Sequence, residues 1–563
     1  MLFKKTTLAL FTLLNCHLLL LAQVRNHTSS VAIEENVIFS TDRTLYIAGE
    51  VILFKANCIL SGKTTSPISN VLYIELYDKN FKVISKRKAQ IKNGICVNSM
   101  EIPSDIITGN YYIRAYTQYI RNFKKELFYT NQLTIINPEL PSNDVIQTIK
   151  IDSSIILENK KIELRTDKEN YSPRSQVTLT LKGDKNANLC ITVVKKGSYQ
   201  AINQKVNSYF KTSTLTSDTS FKQLEWLPET RAVSISGKVK NAKDNSPLGN
   251  ILVYASTMDS SKQFHITRTK TDGTFIFSLP NLHENHTIYI STQRMEDKEA
   301  TIIINNDFSP EFGVASYVPE IIDSAKKALI NQLFLNKQIT DNYNRPNNIV
   351  NTYMNTLPGP FDEKAEVVYL KDYIALANMK EVFQEIASYI IIKNKNGSPS
   401  IEVFDKKDKT VFSQPLVLLD NIPFQDYSKL LNTSPSKVVA IKVIAEPYVC
   451  GNEIIYGIVS IQSTTGDLAG LGLPKNVAAV DYITLNPSAT ISYDDYIQGV
   501  NADKRTPDFR NTLYWNPTIV LTNEEQSLQF YTSDCTSEYD IIVRGINANG
   551  KPIFSSKTIT VVK

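Results

Sequence analysis

The stretch TDRTLYIAGEVILFKANC (Thr41–Cys58) changes character halfway along. Its first half is polar and turn-forming and ends at Gly49. Its second half alternates, with Ile52, Phe54, Ala56 and Cys58 on one face of an extended chain. Strict alternation of this kind marks a half-buried strand. It continues in NVLYIELYDKNFKVI, where Leu72, Ile74 and Leu76 oppose Tyr73, Glu75 and Tyr77, and Asp78-Lys79-Asn80 turns the chain. GICVNSMEIPSDIITGNYYIRAYTQYI adds two more strands around a Pro- and Gly-containing connection. Short strands at this turn spacing predict an antiparallel β-sandwich over 38–138.

The whole chain, at 563 residues, is too long for one core, so several domains are expected. Hydrophobic residues at 42% against charged residues at 21% place it among globular proteins. A net charge of +5 over this length leaves no block dense enough for nucleic acid or a polybasic membrane contact. SKRKAQ, from Ser85, reads as a solvated strand end. At the amino terminus, MLFKK followed by LALFTLLNCHLLLLAQ has the basic and apolar regions of a secretory signal, cut between Ala22 and Gln23. Leu14 and Asn15 suit a lipid anchor at Cys16 poorly. No later run is long and apolar enough for a transmembrane helix. The remaining cysteines are Cys58, Cys96, Cys190, Cys450 and Cys535, an odd and scattered set without zinc-ligand spacing. Only Cys58 and Cys96 fall in one expected domain. An exported location permits a disulfide between them, and the other reading is two small buried hydrophobes.

TDRTLYIAGEVILFKA followed by IPSDIITGNYYIRAY resembles a macroglobulin-type MG2 domain. The opening motif recurs: Thr41, Asp42, Arg43 and Tyr46 return as Thr166, Asp167, Lys168 and Tyr171, followed by Val177, Leu179 and Leu181. A second macroglobulin-like sandwich is therefore expected over 155–230. Residues 233–312 resemble a carboxypeptidase regulatory-like domain of transthyretin type, with a tight turn at Asp272-Gly273 and Phe275 and Phe277 returning to the core. That resemblance implies no peptidase chemistry. Helical spacing of Ile321, Ile322, Ala325, Leu329 and Leu333, and again in LKDYIALANMKEVFQEIASYI, predicts a helical linker over 318–379. Residues 380–475 resemble the plug domain of TonB-dependent receptors, through MKEVFQEI, PLVLLDNIPFQDYSKLLNTSPSKVVAIKVI and GIVSIQST. A further β-sandwich is expected over 476–563. The fold class is thus mainly β and multidomain: serial Ig-like or macroglobulin-type sandwiches, a transthyretin-like sandwich, a helical linker and a small α+β domain.

Catalytic chemistry is thinly represented. His283 and His286 in LHENHT stand one residue short of zinc-protease spacing and read as exposed loop residues. There is no G-x-S-x-G elbow and no phosphate-binding glycine loop. Asp494-Asp495 and Glu524-Glu525 are adjacent, so in a strand their carboxylates point to opposite faces. Tyr111, Tyr112, Tyr116 and Tyr119 offer an aromatic platform or, more simply, cross-strand packing. The sequence carries neither the G-C-G-E-Q thioester of covalent macroglobulin traps nor a TonB box, and the residues after Gly466 are too few for a receptor barrel. No catalytic, cofactor or metal residue is assigned.

The expectation is a non-enzymatic, exported accessory protein of a Gram-negative envelope, in the periplasm or at the outer membrane. It would support a transport or assembly complex by contacting an outer-membrane β-barrel or another envelope protein, without nucleic acid and without a span of its own. The alternative is a macroglobulin-like, non-covalent protease-binding protein, with DNYNRPNNIVNTYMNTLPGPF (341–361) as its cleavable segment. An enzyme hidden in the helical middle is a third reading.

Overall fold

The computed structural model describes residues 34–123, 129–141, 162–200, 224–312, 322–343, 361–486 and 506–563, with short breaks at 61–64, 67, 260, 281, 284, 296–298, 363, 396, 406 and 549–551, and two small strands at 349–351 and 489–491. The signal segment with its Ala22–Gln23 cleavage position, Asp494-Asp495 and most of 341–361 lie outside the described residues.

The first sandwich comprises β1 (Glu35–Thr41), β2 (Leu45–Ile47), β3 (Val51–Leu60), β4 (Val71–Asp78), β5 (Val83–Gln90), β6 (Ile95–Glu101), β7 (Gly109–Tyr116) and β8 (Tyr129–Ile136). One sheet runs β1-β3-β6, and the facing sheet contains β2-β8-β7-β4-β5. Phe39, Ile52, Phe54, Ala56 and Cys58 pack with Leu72, Ile74 and Leu76 in its core. Tyr73, Glu75 and Tyr77, on the opposite face of β4, are buried as well. The cause is the segment 307–312, which covers that face: Phe308 meets Tyr73 edge-on at 5.2 Å, and Phe312 meets Tyr77 at 5.0 Å.

Next come β9 (Glu163–Thr166), β10 (Asn170–Tyr171), β11 (Gln176–Lys182) and β12 (Asn188–Lys195), which make two unfinished sheets. The chain then forms a two-sheet unit from β13 (Val233–Asn241), β14 (Leu252–Ser256), β15 (Phe264–Arg268), β16 (Thr274–Leu279), β17 (Asn285–Thr292) and β18 (Ala300–Ile304). Its core is continuous with that of the first sandwich. Helix α1 (Ser324–Asn342) and β19 (Ile349–Asn351) follow.

An α+β unit contains β20 (Glu366–Tyr369), α2 (Met379–Glu385), β21 (Ile390–Lys395), β22 (Ser398–Asp405), β23 (Thr410–Phe412), β24 (Leu416–Leu419), β25 (Ile422–Pro423), α3 (Tyr427–Leu431), β26 (Val438–Cys450) and β27 (Glu453–Ser463). The expected helical linker over 318–379 is smaller than its periodicity suggests. Asn378 caps α2 by accepting from the Glu381 N–H at 3.0 Å, so the helix begins only at Met379. Upstream, Ile374 is 83% exposed.

The return path corrects the expected order of independent domains. β28 (Val477–Ile483) adds to β17, β29 (Leu485–Asn486) adds to β5, and β30 (Ala489–Ile491) pairs with β19. Then β31 (Thr512–Val520), β32 (Glu525–Tyr531), β33 (Ser537–Ile546) and β34 (Pro552–Val561) complete the sheets that β9–β12 left open. Their orders are β10-β34-β33-β12-β31 and β32-β11-β9. The two sandwiches expected at 155–230 and 476–563 are therefore one. The reason is burial: Leu179 and Leu181 in one sheet face Leu189, Ile191 and Val193 in the other, and that second sheet is completed by Leu513, Ile519, Tyr539, Ile541, Val543 and Ile559 in the same core.

Candidate functional site

The repeated opening motif is a turn lock in both sandwiches. In the first, the Tyr46 hydroxyl donates to Asp42 Oδ1 (2.7 Å) and accepts from the Arg43 N–H (3.1 Å), while Asp42 Oδ1 also accepts from the Leu53 N–H (3.0 Å). In the second, Tyr171 donates to Asp167 Oδ1 (2.8 Å) and accepts from the Lys168 N–H (3.0 Å), and Asp167 accepts from the Thr178 N–H (2.7 Å). The four-residue Asp–Tyr spacing brings the phenol back over its own turn, which is why the pattern recurs.

The copies differ in surroundings. Asp167 is exposed, whereas Asp42, Arg43 and Tyr46 are buried where the split sandwich docks. Thr512 Oγ1 donates to Asp42 Oδ2 (2.5 Å), Thr192 Oγ1 to the Asp42 carbonyl (3.1 Å), and Asn511 Nδ2 to Glu50 Oε1 (2.7 Å). Arg43 is paired with Asp42 (3.2 Å) and Glu50 (3.0 Å). Burial works against its charge, and Glu50 and then Asp42 outweigh it, so its pKa rises. Burial first, and Asp42 next, push the Tyr46 phenol up.

Helix α1 seats in the angle between these sandwiches. Asp323 caps it by accepting from the Lys326 N–H (2.8 Å). Ile330 and Leu333 pack on Leu45, Ile47 and Ile136 of the first sandwich. From the split sandwich, Asn511 donates to the Leu333 carbonyl (3.0 Å), and Lys326 reaches across to the Gly197 carbonyl (3.0 Å). Deeper in the joint, Lys195 Nζ lies 2.8 Å from Cys535 Sγ, and Gln332 Nε2 lies 3.2 Å from the same sulfur. The Asn336 amide is 3.1 Å from Nζ. Lys195 has no exposed surface, and burial lowers its pKa. The helix leads directly towards 341–361.

Other residues singled out in the sequence serve packing. Cys58 and Cys96 are buried, free thiols. Cys96 stands opposite Ala56, so the cysteines are diagonal neighbours two residues out of register, too far for a bridge without a strand shift. Tyr111, Tyr112, Tyr116 and Tyr119 are buried, which removes them as a platform. His283 and His286 are half-buried rather than exposed. His283 Nδ1 faces the Leu485 carbonyl (3.1 Å), and His286 is held between Asp259 and the His283 carbonyl. Among the described residues no group of three His, Cys, Asp or Glu side chains could hold a metal. Sequence reasoning missed the Lys195–Cys535 pair, because only the strand register brings positions this distant together.

A family model described as "Alpha-2-macroglobulin bait region domain" matches residues 37–201. Among solved structures, native Escherichia coli alpha-2-macroglobulin is 9% identical, with 95% of this chain and 40% of that one covered at a TM-score of 0.24. A Salmonella alpha-2-macroglobulin mutant gives 9% identity, 96% and 40% coverage, and a TM-score of 0.24. The Yersinia pseudotuberculosis adhesin InvE gives 11%, 48% and 59%, and 0.14. The chain thus spans about two-fifths of the length of these macroglobulins. The comparison with curated proteins finds no match. Macroglobulin likeness rests on the family match: the first sandwich, together with the opening strands of the split one, is similar to the bait-region domain of alpha-2-macroglobulins.

Proposed function

We propose that the chain is a non-enzymatic, exported, macroglobulin-like protein that binds proteases without a covalent bond. The observation carrying this reading is the bait-region family match over 37–201. Chain closure supports it. A cut within 341–361 leaves β9–β12 on one fragment and β31–β34 on the other, both in one core. A protease cutting there would face a molecule whose halves stay clasped. Residues 142–161 join the two matched sandwiches and are a second candidate segment. The likeness of 233–312 to a carboxypeptidase regulatory-like domain and of 380–475 to a TonB plug belongs to this proposal too; the family match supports neither.

A second reading, an envelope accessory protein, is favoured by the tip of the β26–β27 hairpin. There Val449 is 70% exposed and Ile454 and Tyr456 are each 54% exposed, an apolar surface suited to a protein partner. Incubation with trypsin or elastase decides between them. Cleavage in 142–161 or 341–361, with the protease retained and its activity lost mainly on large substrates, supports the first. Release of a fully active protease overturns it.

A further inference from the structure

We propose that Lys195 and Cys535 are a modification site, joined by oxidation into a nitrogen–oxygen–sulfur bridge that staples the two chain segments of the split sandwich. Lys195 ends β12 and Cys535 precedes β33, its paired neighbour. Their side-chain heavy atoms lie 2.8 Å apart. Sulfur is larger than oxygen, so this is closer than an ordinary N–H···S contact, and one oxygen atom spans it. A buried lysine ordinarily has a carboxylate partner. Among the described residues none pairs with Lys195; its surroundings are the thiol and the Asn336 amide. Burial lowers the lysine pKa, which increases the share of neutral amine with a free lone pair. Gln332, donating to the same sulfur, fixes the thiol beside it.

The oxidant is dioxygen. In the net step, R–NH2 + R′–SH + O2 gives R–NH–O–S–R′ + H2O. One N–H and the S–H bond break, and N–O and O–S bonds form. Nitrogen and sulfur are each oxidised by two electrons, and the second oxygen atom leaves as water. Two equivalents of a dithiol, each oxidised to a disulfide, supply the four electrons and four protons that reduce the bridge to amine, thiol and water. Because the two residues lie on opposite sides of 341–361, the bridge would keep a cut chain covalently whole. This inference is independent of protease binding.

The test uses full-length protein held in oxygenated buffer and digested without reductant. The expected product is a linked peptide pair containing Lys195 and Cys535, heavier than their sum by one oxygen less two hydrogens, about 14 Da. Dithiothreitol should split it, and Cys535→Ser and Lys195→Arg should both lack it. Oxidised wild type should also melt about 2–5 °C above the reduced protein, a difference lost in Cys535→Ser. Recovery of Lys195 in an unlinked peptide, with Cys535 alkylatable or present as a sulfinic acid or disulfide, overturns the proposal.

Discussion

Removing the Tyr46 hydroxyl should cost far more than removing that of Tyr171, although the two make the same hydrogen bonds. In Tyr46→Phe, Asp42 loses a donor at 2.7 Å and the Arg43 N–H loses its acceptor at 3.1 Å. Both groups are buried beneath the split sandwich, so water cannot replace the phenol. A hydrogen bond to a charged group is worth about 1.5–3 kcal/mol, and a buried donor left alone adds to that. Asp42 keeps the Leu53 N–H and Thr512, which limits the loss, and about 2–4 kcal/mol is expected. In Tyr171→Phe the exposed Asp167 regains water, and the cost should be about 1 kcal/mol. Hydrogen exchange read by mass spectrometry on peptides covering 41–54 and 166–179 separates the two sites within one chain. Equal losses at both, or a larger loss at Tyr171, would refute the claim that docking makes the first copy the costly one.

Glu229 is buried, and burial, opposed by Lys88 and its Ser234 contacts, raises its pKa from 4.5 to about 7. Between those values the folded state holds the proton that the unfolded state releases, so stability should fall as pH rises through this window, by about 3 kcal/mol in all. In Glu229→Gln, urea melts at pH 4.5 and 7.5 should lose this difference. Leu333→Ala, at a fully buried position of α1, should cost about 2–5 kcal/mol and make 324–342 the first site of proteolysis. Cys58 and Cys96 should both alkylate on unfolding in non-reducing denaturant; a missing pair of thiols and a mass lower by two hydrogens would contradict the register of β3 with β6.

Local pattern carried much of this architecture in the sequence. The alternation of Ile52, Phe54 and Ala56 and the Asp–Tyr spacing depend on neighbours a few residues away, and they lead to the observed inward-facing strand β3 and the turn lock. What local pattern cannot register is non-local closure. Val177, Leu179 and Leu181 read as an inward face in either arrangement, and nothing in them says that β32 and β33, hundreds of residues on, supply the opposing strands. The same blindness hid Lys195 and Cys535, each an unremarked single residue until β12 meets β33. Tyr73 and Tyr77 misled for a related reason: their alternation is real, but Phe308 and Phe312 cover the face that alternation assigns to water.

The most direct test is a cut-and-hold measurement. A site for a highly specific protease is inserted between residues 352 and 360, cleaved to completion, and the product passed over a sizing column under native, reducing conditions. If β31–β34 complete the sheets begun by β9–β12, both fragments elute together at the volume of the uncut chain and separate only in denaturant. Two native peaks, one for each fragment, would show that the halves do not share a core and would contradict the clasp that supports the proposed function.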